Sequence, residues 1–444
     1  MNEKNKIGLF SCITIIAGGM FGSAIFSLSG LTIYNAGASA ILSWIIAAVI
    51  MLIYGLVCAE LSTIFPRSGG VFVFPSKALG KKRSTGALWG WISTWGYINA
   101  NIVAVAFAAV YVGTYLSAGF GLDSSLQIPL ALISILICLF LNLIRFSSTG
   151  KLNNILVGSL VLTLLIYIFT TFFSGKWNPT NLTPFFSGTG GMTGFLSSVP
   201  TAMIGYGSIV AIAFMVSEVK EPNKNVPRAV LIAMILVALI YTLIITATIG
   251  LLPTQFFQEN PSMRYIPLYA ACYTQLPQFT WLPKVVSISA VLALLTTMLV
   301  VLALTARAIQ AAAHSKILPK QFSSTDKNGT PVFSTCVVAF LSAIISCFPD
   351  FTSTIVGFGA LFASVTITIN IISLYFARKK HPHIEGHFRA PGGNILPAIA
   401  LILIIICYIP DILSGGWMIW IYTIIWYLIG FLIFHFSKFS QQKR

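Results

Sequence analysis

Ala17-Gly18-Gly19-Met20-Phe21-Gly22-Ser23-Ala24 interrupts one apolar run, and Gly205-Tyr206-Gly207-Ser208 interrupts another near the middle of the chain. Glycine weakens a helix and bares its backbone. Hydrocarbon tolerates freed N–H and C=O groups only where they line a protected cavity. Breaks at corresponding positions of two halves of a membrane chain point to a central binding site between repeats. The pair therefore predicts a membrane transporter.

Working outward, 57% of the 444 residues are hydrophobic and only 8% are charged, against about 25% charged in soluble domains. A soluble enzyme is excluded. Twelve apolar runs are long enough to span roughly 30 Å of hydrocarbon, centred near residues 20, 51, 103, 136, 162, 208, 240, 293, 341, 366, 404 and 426. Met1 to Lys6 leads into the first run without a small-residue cleavage site, so this run is expected to stay as a helix.

The net charge of +16 raises nucleic acid as a partner, but sidedness explains it better. With a cytoplasmic N-terminus and twelve crossings, all of the 26 Lys and Arg residues except Lys176, Arg264 and Lys284 fall on inward segments. That is the positive-inside bias, and it predicts both termini in the cytoplasm. The expected partners are the lipid bilayer and a small molecule, not nucleic acid; a homodimer is left open.

No chemistry of an enzyme stands out. Cys12, Cys58, Cys138, Cys336, Cys347 and Cys407 lie in expected spans and Cys272 in an outer loop, with neither metal nor disulfide spacing. The five histidines map to the cytoplasmic side, and His381-Pro382-His383 reads as a solvated loop before it reads as a metal site. No catalytic residue, cofactor or metal is expected.

The breaks also divide the chain. Residues 1–174 form a first five-helix repeat, 196–378 a second, and 395–437 two additional helices. An odd number of spans per repeat inverts the second relative to the first. The expected fold is an all-α integral membrane protein with twelve transmembrane helices, a five-plus-five inverted repeat and discontinuous first and sixth helices. The Pro-, Gly- and aromatic-rich segments 175–196 and 252–280 read equally as outer lids and as plain connectors.

Six ordered motifs then carry a resemblance over nearly the whole chain: Gly22-Ser23-Ala24-Ile25-Phe26; Ala59-Glu60-Leu61 with Phe65-Pro66-Arg67-Ser68-Gly69-Gly70; Gly150-Lys151-Leu152; Glu218-Val219-Lys220-Glu221-Pro222 with Asn225-Val226-Pro227-Arg228; Ala306-Arg307-Ala308-Ile309-Gln310 running to Leu318-Pro319 and Gly329-Thr330-Pro331; and Phe388-Arg389-Ala390-Pro391-Gly392-Gly393. They resemble the amino acid–polyamine–organocation transporters, and the segment from Ala306 to Pro319 looks closest to the amino acid/polyamine antiporters. The resemblance implies alternating access to one small-molecule site, for an amino acid or related amine.

The break suits such a substrate. A carboxylate fits the free N–H groups of Ser23, Ala24 and Ile25 at a helix N-terminus. An ammonium fits the carbonyls of Ala17, Gly18 and Gly19 and those from Ile204 through Gly205 and Tyr206 to Gly207. Each dipole contact contributes about 0.3–1 kcal/mol when exposed and up to about 2 when partly buried. Gly22, Ser208 and Asn101 complete the expected site; Asn101 reads equally as a substrate contact and as an interhelical hydrogen bond, and Tyr206 as an aromatic gate or as packing.

Departures from the family pattern narrow the substrate. Ala24 replaces a usual glycine. Val210 stands where di-cation antiporters of the family often carry a glutamate, and Ile204 and Val301 stand at aromatic positions. None of the ten Asp and Glu residues lies at mid-membrane depth, and Leu160 occupies the place of a lysine that proton-coupled relatives carry. Two couplings are left: substrate exchange, which is preferred, and sodium binding by break carbonyls with Thr296 or Thr297. The expectation is a permease of a bacterial plasma (inner) membrane, exchanging neutral or small aliphatic amino acids. Its rivals are an amino acid/polyamine antiporter, a sodium-coupled symporter, and a channel or transport-dead sensor.

Overall fold

The computed structural model describes residues 6–67, 69–80, 82–144, 150–211, 216–327, 329–349, 352–381, 388–414 and 416–437. Ser68, Lys81, Asp350 and, in the histidine tract, Pro382, His383 and His387 lie outside them.

Long apolar runs without internal polar punctuation leave the helix as the conformation that pairs every backbone group internally, and helices dominate. In chain order they are α1 (Leu9–Met20), α2 (Ser23–Ala36), α3 (Ala40–Ile64), α4 (Gly70–Ala78), α5 (Arg83–Phe120), α6 (Gln127–Leu143), α7 (Gly150–Phe173), α8 (Gly191–Ile204), α9 (Pro222–Leu251), α10 (Thr254–Glu259), α11 (Pro267–Gln275), α12 (Leu282–His314), α13 (Val332–Ser346), α14 (Thr352–Lys380), α15 (Ile395–Ser414) and α16 (Gly416–His435). Seven helical stretches among the described residues are long and apolar enough to cross a membrane, and four shorter helices are apolar as well. Each of the twelve expected centres falls in a helix or in one of the two breaks. The β-type pairing among the described residues is a single bridge between Ile7 and Val219.

The helices fall into two packed groups. In one, α9 lies along α1 and α3, while α8 lies along α2 and α3. In the other, α5 packs against α12, α6 and α13. The long α14 runs beside α5 and also touches α3, α4 and α8. The site lies where the two groups meet.

The outer segments are packed rather than loose. Segment 175–196 holds a 3-10 turn at Pro179–Leu182, and segment 252–280 holds α10, a second turn at Pro261–Tyr265, and α11. Both press on α2: a Cβ on Gly194 would lie 2.1 Å from the Asn35 carbonyl, and one on Gly30 2.2 Å from the Arg264 carbonyl. The Arg264 guanidinium sits 3.6 Å from the centre of the Tyr34 ring. Cys272 is accordingly buried in α11, not in an open loop, and none of the seven cysteines is in a disulfide among the described residues.

One signature glycine has a local reason. Gly69 starts α4 at φ 87°, accepts from the Phe72 and Val73 N–H groups, and leaves only 2.6 Å between its Cβ position and Ala311 of α12. A side chain there is excluded by conformation and by space together.

Candidate functional site: two broken helices around a cavity

Gly18, Gly19 and Gly22 weaken the first helix within little more than one turn, and it stops at Met20. The Phe21 N–H still donates to Ala17 O at 2.7 Å, but the Gly22 N–H folds back onto Met20 O at 2.6 Å. The Ser23 N–H turns away to Thr297 Oγ1 at 3.3 Å. The carbonyls of Gly18 and Gly19 thereby lose the donors that a continuing helix would give them. From Ser23 the chain resumes as α2, whose first N–H groups, those of Ala24 and Ile25 included, have no acceptor within the helix.

The sixth helix breaks by tightening. Pro200 sits inside α8, which ends at Ile204. The Gly205 and Tyr206 N–H groups then donate three residues back, to Ala202 O and Met203 O, each at 3.0 Å. A 3-10 turn follows at Gly207–Val210, and the Ile209 N–H goes to Tyr206 O at 3.0 Å. Gly205 O loses its α-helical donor in that step.

The two breaks touch. A Cβ on Gly19 would lie 2.6 Å from Ser208 Oγ, and one on Gly205 would lie 3.2 Å from the Ala24 Cβ. Between them and α5, α12 and α14 lies a cavity of about 140 Å³. Its polar lining is sparse: Ser23, Ser208, Thr297, Thr366, Asn101 and the tyrosines 54, 97 and 408. The rest is apolar, including Leu28, Met51, Phe107, Met203, Ile204, Val210, Val301, Leu304 and Ile367. Among the described lining residues none carries an ionisable acid or base group of Asp, Glu, Lys, Arg or His.

Of the residues singled out in the sequence, Gly19, Ser23, Ala24, Asn101, Ile204, Gly205, Gly207, Ser208 and Thr297 line this cavity. Ala17, Gly18, Gly22, Ile25, Tyr206 and Thr296 stand behind the lining. The Tyr206 ring is fully buried against Trp44 and Tyr241, with centroids 6.0 and 5.3 Å away, and its hydroxyl donates to Trp44 O at 3.3 Å. That position packs the break from behind and turns this ring away from the cavity. Asn101 Nδ2 is buried without a hydrogen-bond partner among the described residues. Asn99 instead bonds Tyr422 on α16 at 2.7 Å, a helix-to-helix contact.

Several groups escaped the sequence reading. Tyr241 of α9 donates its hydroxyl to Met20 O at the end of α1, and Tyr115 of α5 donates to Phe26 O in the first turn of α2. Both satisfy carbonyls around the break from distant helices. Nothing in the local sequence marks them, since a tyrosine in an apolar run reads first as packing. Tyr241→Phe removes one donor from Met20 O, and such a bond contributes about 0.5–1.5 kcal/mol net. The expected result is about threefold to tenfold weaker substrate binding in a thermal-shift titration; unchanged affinity would show that this clamp does not shape the site.

Freed backbone poles of two discontinuous apolar helices, set around a shielded cavity, define a membrane transport protein. The chain matches the amino acid permease family over residues 7–434, and it belongs to that family. It is 26% identical over 465 aligned residues to the branched-chain amino acid permease of Bacillus subtilis, covering 99% of this chain and 94% of that protein. It is 25% identical to the branched-chain amino acid permease of Lactococcus lactis, covering 96% of this chain and 93% of that one. The methylthioribose transporter of Bacillus subtilis is also 25% identical, with 96% and 92% covered. The protein is thus a multi-pass membrane transporter for amino acids rather than an enzyme, and its bacterial relatives support a plasma-membrane location.

Proposed function

We propose that the protein exchanges neutral, aliphatic α-amino acids across the membrane by alternating access. The observation that carries this reading is the cavity: it is lined by the backbone of both breaks and, among the described residues, by a mostly apolar wall without a charged side chain. In this reading the carboxylate lies at the N-terminus of α2, near the N–H group of Ala24, and the ammonium lies at the carbonyls of Gly19 and Gly205, all three of which line the cavity. Asn101 Nδ2 offers a further donor. A second ammonium or a guanidinium would enter apolar surroundings without a counter-charge, a desolvation cost of several kcal/mol. That weighs against polyamines. The two relatives named for branched-chain amino acids agree with an aliphatic side chain.

The wider architecture we propose is twelve spans in a five-plus-five inverted repeat, 1–174 against 196–378, with two further helices at 395–437 and both termini cytoplasmic. The contact of the two breaks and the matching pair of packed helix groups support it. Purified protein in liposomes tests the function. Labelled leucine is expected to enter only when leucine, isoleucine, valine or another neutral amino acid is preloaded inside. Uptake into empty liposomes driven by external sodium would reject exchange, and competition by putrescine or agmatine without competition by leucine would reject the substrate class.

A further inference from the structure

Thr297 holds the first break from the opposite helix group. Its Oγ1 accepts the Ser23 N–H at 3.3 Å and donates to Ala293 O, one turn back in α12, at 3.0 Å. The hydroxyl lies so close to the break that a Cβ on Gly22 would stand 1.8 Å from it. Thr296 donates to the same Ala293 carbonyl at 2.9 Å. A sodium ion at this place would use the oxygens of Thr296, Thr297 and Ala293 together with break carbonyls. Here those three oxygens are tied to one another, and the fourth neighbour is a donor rather than an acceptor. The Ser23 N–H opens α2, so it carries the positive end of a helix dipole and faces the very oxygen that a cation would need.

We propose that Thr297 is a positioning residue: its hydroxyl, by accepting from Ser23, fixes the unwound segment to α12 in the way a bound cation would otherwise have to, and the transport cycle needs no cation there. The bond joins the two packed groups directly at the cavity, since Ser23 and Thr297 both line it. It also sets the direction of the α2 N-terminus, so the neighbouring N–H groups of Ala24 and Ile25 are aimed before substrate arrives. This rests on the reading of the cavity as an amino acid site.

The test uses the full-length protein and three variants, Thr297→Ser, Thr297→Cys and Thr297→Val. Serine keeps the acceptor, cysteine keeps the size with a weak acceptor, and valine keeps the branched shape without one. The leucine KM for exchange is expected to stay within about twofold for serine and to rise about threefold to tenfold for cysteine and valine, the worth of one hydrogen bond. Equal KM values for all four proteins would overturn the positioning role. The melting temperature of the substrate-free protein is expected to be the same in sodium chloride and in choline chloride at equal ionic strength. A sodium-dependent rise in the parent that cysteine or valine abolishes would make Thr297 an ion ligand and overturn the proposal. That measurement needs no substrate, so it still decides the cation question if leucine proves not to be transported. Should the valine variant fail to insert, cysteine carries the comparison.

Discussion

Gly22→Ala is expected to cut exchange about tenfold to a hundredfold while the protein still inserts and purifies normally. The cause is space rather than backbone conformation. At φ −122° the residue is not in the left-handed region that reserves a position for glycine. The added methyl, however, would stand 1.8 Å from Thr297 Oγ1, 3.1 Å from Thr297 Cβ and 3.3 Å from Gly19 O. Thr297 can make room only by rotating its hydroxyl away, which deprives the Ser23 N–H of its acceptor, or by pushing α12 from the break. Overpacking of this kind costs about 1–3 kcal/mol, and each 1.4 kcal/mol is tenfold. Thr297→Ala in the same chain removes the oxygen but not the Cβ, so the double variant should recover part of the loss. Initial rates of leucine counterflow, normalised to inserted protein, check both statements. Wild-type rates in Gly22→Ala would remove the first break from the mechanism.

Arg378→Ala has the largest expected effect on stability. Glu60, at the end of α3, is fully buried. Its Oε1 accepts from Arg378 Nε at 2.8 Å, and its Oε2 from Arg378 NH2 at 2.6 Å and from the Ala390 N–H at 2.8 Å. Arg378 also reaches Asn394 Oδ1 at 2.8 Å. The pair thus bolts α3 to α14 and to the segment that enters α15. Removing one partner leaves a buried charge uncompensated, at about 3–5 kcal/mol. Replacing both, as Glu60→Gln with Arg378→Met, should cost much less. Thermal unfolding in detergent separates them: the single variant melts well below the double one, and equal melting temperatures would show that the pair does not hold these helices together.

Much of the fold could be read because its decisive signals are local. Glycines at 18, 19 and 22 and at 205 and 207 state where a helix cannot continue, and the helices stop at Met20 and Ile204. Long apolar runs state where helices stand. The site was legible only as far as the breaks themselves. Tyr241 on Met20 O, Tyr115 on Phe26 O and Thr297 on Ser23 N are contacts between residues far apart in the chain, and one sequence carries no record of which hydroxyl meets which carbonyl. The signature Ala59-Glu60-Leu61 shows the same limit. The partner of its glutamate, Arg378, is 318 residues away. Its place in the break lets Tyr206 read either as a gate turned towards the substrate or as packing. It turns the other way because Trp44 and Tyr241 already form an aromatic wall behind it.

The first break leans on what the ribosome makes last among its neighbours. Gly19 rests on Ser208, Met20 O accepts a second hydrogen bond from the Tyr241 hydroxyl, and the Ser23 amide waits for Thr297. Chains enter the bilayer from the N-terminus as they are synthesised, and an unpaired peptide group in lipid costs several kcal/mol. The break is therefore delivered before the groups that complete it, and stays chemically unfinished, sheltered by the insertion machinery or by water, until α12 arrives.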